Sequence, residues 1–92
     1  MKTMSDGFAK FQRIWKKVPE KCHGVLLTVP IKTEGDCVSA MAIAAITLRT
    51  LYFADILTLE EEKYLYEHLS TFYKQTLDEH KEEEETGDDQ NP

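Results

Sequence analysis

A chain of 92 residues leaves room for one domain, and one that buries only about 60–65% of its unfolded surface, so its stability margin is thin. An apolar content of 41% with 30% charged residues excludes wholesale disorder, and two cysteines exclude a disulfide framework. The net charge of −6 is unevenly laid out: residues 1–33 carry seven Lys and Arg against two acids, a net of +5, and residues 34–92 carry four against 15, a net of −11. Such asymmetry bears on partners and solubility rather than on fold.

In the first helix expected from the sequence, Phe8, Phe11, Ile14, Trp15 and Val18 recur at helical spacing, with Lys10, Gln12, Arg13, Lys16 and Lys17 outside that stripe. Ser5 and Asp6 precede it as candidate N-caps. Its last turn is cationic, which suits the helix dipole, and Pro19 ends it, with Val18 pushed out of helical space by the proline. Residues 19–36 show no helical period. Within them Val25, Leu26, Leu27, Thr28 and Val29 make a β-prone run between Gly24 and Pro30. With no second strand signal to pair with, an extended loop across the helices is expected first, then pairing with a twin in a dimer, then acceptance of a partner's strand. Residues 33–36 read as a turn, with Asp36 as N-cap of the central helix.

The run CVSAMAIAAITLRTLYFADIL at 37–57 holds only Arg49 and Asp55 as charges, and apolar side chains fall on every helical face. A helix apolar all round is a core helix or a membrane span. Its 21 residues suffice for a span, but Arg49 near its middle and the many Ala, Ser and Thr residues argue against one. A buried central helix of a water-soluble domain is expected.

The third helix opens on a capping box, Thr58 with Glu61 three residues on, and Glu60, Glu61 and Glu62 favour the positive end of its dipole. Leu65, Leu69, Phe72 and Thr76 form its stripe, widened by Tyr66, Tyr73 and Leu77. The connection at residues 57–58 permits only a tight reversal, so the central and third helices are expected to be antiparallel neighbours. Residues 78–92 carry no apolar side chain, so helix is expected to about Glu83 and a disordered acidic tail over 84–92. The expected fold is therefore mainly α: a small three-helix domain over 1–83, with an extended segment between the first and second helices.

No chemistry-bearing motif stands out. Cys22, His23 and Cys37 lack the paired spacing of a zinc site with His68 or His80. Cys37, near the start of the central helix, could gain thiolate character, and a small enzyme or ligand-binding protein using Cys37 is the least favoured reading. The Glu-x-x-His pairs of di-iron bundles and Gly-rich phosphate loops are missing. No cofactor, metal or enzymatic activity is expected.

In size and acidity alone the chain resembles small accessory proteins that inhibit or regulate larger machines, including those of phages and mobile elements; the likeness covers no particular residues. A non-enzymatic protein that binds another protein as inhibitor or regulatory adaptor is expected, because the central helix has more apolar faces than two short neighbours can cover. A cytoplasmic location is expected, since no apolar leader segment is visible. A homodimer is expected because the surplus apolar surface should meet a twin, and direct nucleic-acid or membrane contact is not expected in a chain this acidic with Arg49 in its apolar run. Glu60, Glu61, Glu62, Tyr64 and Glu67 are the candidate partner-binding residues. The alternative reading is a DNA mimic whose acidic third helix and tail occupy a nucleic-acid-binding site.

Overall fold

A computed structural model describes residues 3–27 and 29–89. Among these it contains four helices and no strand: α1 (Thr3–Trp15), α2 (Glu20–Leu27), α3 (Glu34–Phe53) and α4 (Leu59–Asp89). The organising unit is the hairpin of α3 and α4. Glu34, at the start of α3, meets Lys81 late in α4 at 3.4 Å, and Arg49, late in α3, meets Glu62 early in α4 at 2.7 Å, so the two helices run antiparallel, as the short connection requires. α1 lies across the first half of α4, held by Lys17 to Glu61 at 2.6 Å and by the Tyr64 hydroxyl donating to the Gly7 carbonyl at 3.1 Å.

Both long helices begin on capping boxes. Thr58 and Glu61 form the expected one: the Glu61 N–H donates to the Thr58 hydroxyl at 3.1 Å, and the Thr58 N–H donates to the Glu61 carboxylate at 2.9 Å. At α3 the N-cap is Thr33, not Asp36; Asp36 is the third helical residue and accepts from the Lys32 and Thr33 N–H groups at 3.0 and 3.1 Å. A threonine three residues ahead of an acid serves both arms of the box, which a cap at Asp36 would not. These donors, Lys32 first, hold the Asp36 carboxyl below its ordinary 3.8. The Lys17 ammonium, then the Thr58 N–H, hold Glu61 below 4.5. A carboxyl lowered on folding contributes stability that is present above its unfolded value and lost as pH falls through the folded one. Denaturation midpoints should therefore fall between about pH 5 and pH 2, and the Asp36→Asn/Glu61→Gln variant should show a flatter acid limb.

The hairpin turn is a Schellman closure. The Asp55 N–H donates to the Tyr52 carbonyl at 3.0 Å, the Ile56 N–H donates to the Leu51 carbonyl at 2.9 Å, and Asp55 sits at φ 61°. That left-handed position favours glycine. Asp55→Gly should raise unfolding stability by about 0.5–1 kcal/mol, read from urea midpoints, because relief of the backbone strain exceeds glycine's entropic cost.

Further expectations change. The β-prone segment is largely helical: α2 covers Glu20–Leu27 and delivers Leu26 fully buried, while Thr28 lies outside the described residues. A helix satisfies its own backbone groups where an unpaired strand could not, so there are four helices rather than three. α1 begins at Thr3, ahead of the proposed Ser5 or Asp6 cap. α4 continues to Asp89, past Glu83 and through most of the expected disordered tail; residues 90–92 lie outside the described ones. Glu82 to Glu85 are good helix formers and a helix already nucleated propagates without apolar residues, but nothing in the composition of Thr86, Gly87, Asp88 and Asp89 accounts for the last turn.

The core is built from Ile14 and Val18, Leu26, Ile31, then Cys37, Ala40, Ala44, Leu48 and Leu51 of α3, Leu57, and Leu65, Leu69, Tyr73 and Leu77 of α4. α3 thus buries one face only. Its small residues Cys37, Ala40 and Ala44 let neighbouring backbones come close, while Ile43 and Ile46 are exposed, contrary to the expectation of a helix wrapped on all sides. By length and composition α3 could cross a membrane, yet its inner face is covered along its length by the charged helix α4.

Candidate functional site

α4 places the five acid-face residues singled out from sequence on its first three turns, but in different environments. Glu61 is tied to Thr58 and Lys17. Glu62 is buried against Arg49, with its second carboxylate oxygen lacking a donor. The Tyr64 ring lies under the Lys10 ammonium at 4.6 Å and beside the His68 ring at 4.2 Å. Glu60 and Glu67 present exposed side chains. The charge of Glu61 and Glu62 is therefore compensated within the molecule, which weakens the row of free carboxylates that a nucleic-acid mimic needs.

Cys37 faces the core in the first turn of α3, and Cys22 is half-buried on α2. Among the described residues no group of three or more His, Cys, Asp or Glu side chains is placed to hold a metal ion.

A concavity of about 700 Å³ lies where α1, α2 and α4 converge, lined by Gly7, Phe8, Phe11, Leu27, His68, Leu69, Phe72 and Gln75. Phe11 and Leu69 form its floor. Phe8, Leu27 and Phe72, one from each of three helices, stand exposed around it. A smaller hollow of about 340 Å³ continues it along α4 through His68, Phe72 and Gln75 to Thr71 and Glu67, so the exposed carboxylate of Glu67 sits at the rim of an apolar groove. No family model, curated protein or solved structure matches the chain.

Trp15 stacks on Phe11 at 5.6 Å and on His23 at 4.4 Å, and Phe11 meets His68 at 5.5 Å, so one run of rings joins α1, α2 and α4. Of the groove residues, sequence reasoning placed Glu67 among the binding residues and Phe8 and Phe72 in core stripes. Periodicity could not separate Phe72 from the core, because α4 is apolar over a wide arc. The buried line is Leu65, Leu69, Tyr73 and Leu77, which puts Phe72 at its edge. α3 carries a second uncovered apolar face, with Val38 66%, Ile46 69% and Phe53 73% exposed.

Proposed function

We propose that the protein is a small acidic, non-enzymatic binding protein, an inhibitor or regulatory adaptor, that grips a protein partner in the groove between α1, α2 and α4. The observation that carries this reading is the ring of exposed Phe8, Leu27 and Phe72 around one concavity. Clustered exposed aromatic and aliphatic side chains on a small protein mark an interaction site, and buried aromatic anchors supply most binding energy. Glu67 at the rim, with Asp78, Glu79 and Glu82 exposed further along α4, defines the partner's chemistry: bulky apolar side chains for the groove, flanked by a basic one.

The test is photo-crosslinking from position 72 and from a distant exposed position such as Ser39 in native lysate, followed by affinity capture of the crosslinked protein on immobilised wild type and on the Phe8→Glu, Phe72→Glu and Glu67→Lys variants, none of which carries the crosslinker. One protein should crosslink from position 72 and not from 39, and the two Phe variants should lower its capture at least tenfold. Glu67→Lys should weaken capture and reduce its salt dependence. Capture insensitive to both Phe variants would sink the reading.

A further inference from the structure

We propose that the outer face of α3 is the two-fold interface of an antiparallel homodimer centred on Ala45 and Ile46. The face consists of Val38, Ala42, Ala45, Ile46, Arg49 and Phe53, all exposed and all within one stripe of the helix. Their steps along the chain are four, three, one, three and four residues, the same read from either end. Laid against a reversed copy of itself, the face therefore brings Val38 opposite Phe53, Ala42 opposite Arg49 and Ala45 opposite Ile46 of the second copy. At every level a smaller side chain meets a larger one, which is the self-complementarity a two-fold interface demands. The alanines at the centre permit close approach of the two backbones.

The lone charge on the face is already provided for. Arg49 donates from Nε to the Glu62 carboxylate at 2.7 Å and lies over the Tyr52 and Phe53 rings at 5.5 and 5.9 Å, so burying the face leaves no unpaired cation. The other Glu62 oxygen is buried without a donor, an unmet acceptor beside two shallow hollows that share Ala45, Arg49 and Glu62. A 20-residue helix is about 30 Å long, and a hairpin is about two helix diameters, roughly 20 Å, wide, a footprint of about 600 Å², at the lower limit of what each partner of a stable complex buries. A lipid bilayer suits the face less well, because Glu62, Lys63 and Glu67 of α4 flank it and charges in hydrocarbon are costly.

Sedimentation at tens of micromolar should give a dimer for the wild type. Ile46→Glu should be a monomer of unchanged circular dichroism, its dissociation constant raised at least 100-fold, while Phe72→Glu should stay dimeric, which separates this interface from the groove of the proposed function. Register is read from cysteine cross-linking, with the wild type as control for Cys22 and Cys37. Ala45→Cys should cross-link to itself with a short bis-maleimide. Phe53→Cys should not, since its two copies lie about 22 Å apart along the axis, but should link to Val38→Cys in a mixed sample. Any of four results would overturn the proposal: a wild-type monomer, a dimer indifferent to Ile46→Glu, self-linking at both 45 and 53 as in a parallel pair, or a monomer that floats with phosphatidylcholine vesicles through Ile46.

Discussion

Tyr73→Ala should bring the protein close to unfolding. Tyr73 is 1% exposed at the centre of the core, and emptying an aromatic site of this kind costs about 3–5 kcal/mol. A domain of this length has about 5–14 kcal/mol in total, and the melting temperature should drop by more than about 12 °C. Tyr73→Phe separates the two jobs of the side chain. Its hydroxyl donates to the Leu26 carbonyl at 2.6 Å, one of the carbonyls that the end of α2 leaves without a helical partner. Removing the donor strands that buried acceptor, at a cost of about 1–3 kcal/mol. Amide exchange should quicken first in α2, with α3 and α4 less affected.

The same ring predicts an alkaline limb. Burial pushes the Tyr73 phenol above its ordinary 10.0, because the fold shelters the neutral form that makes the hydrogen bond. Stability from such a group is fully present below the unfolded value and lost as pH rises through the folded one. Denaturation midpoints of the wild type should therefore fall above about pH 10, and Tyr73→Phe should remove most of that slope.

What could be read from the sequence was whatever depends on neighbours along the chain. The Thr58 and Glu61 box, the tight reversal after α3 and the antiparallel hairpin each arise from local rules, and each is present. Features set by distant contacts were not legible. Leu26 is buried because α2 coils and Tyr73, 47 residues away, closes its end; the β-prone composition of 25–29 carries no trace of that. In the candidate groove, Phe8 and Phe72 fit helical stripes as well as any core residue, and only the crossing of α1 over α4 decides that they stand at the rim. Glu61 and Glu62 look like free surface acids until Lys17 and Arg49, from elsewhere in the chain, come to meet them.

The sharpest such case is α3, where Leu48→Ala and Ile46→Ala should part company although the two residues are neighbours but one. Both belong to a run with apolar side chains on every face, so the period gives no inner side. The signal in the sequence was the placement of small residues and of Arg49. Arg49 is nine residues from Ala40, two and a half turns, and so on the opposite face; a helix that turns Cys37, Ala40 and Ala44 inward must turn Arg49 and Ile46 outward. Leu48 is fully buried against α4 while Ile46 is 69% exposed. Leu48→Ala should cost about 2–5 kcal/mol, measured by urea denaturation. Ile46→Ala, measured at concentrations low enough that self-association adds nothing, should stay within about 0.5 kcal/mol of the wild type. At higher concentration the Ile46 variant should lose the concentration-dependent rise in melting temperature that a dimer shows, whereas Leu48→Ala should keep that rise on a lowered baseline. Equal destabilisation by the two substitutions in dilute solution would mean that α3 is enclosed on both sides, and the free face that the dimer requires would not exist.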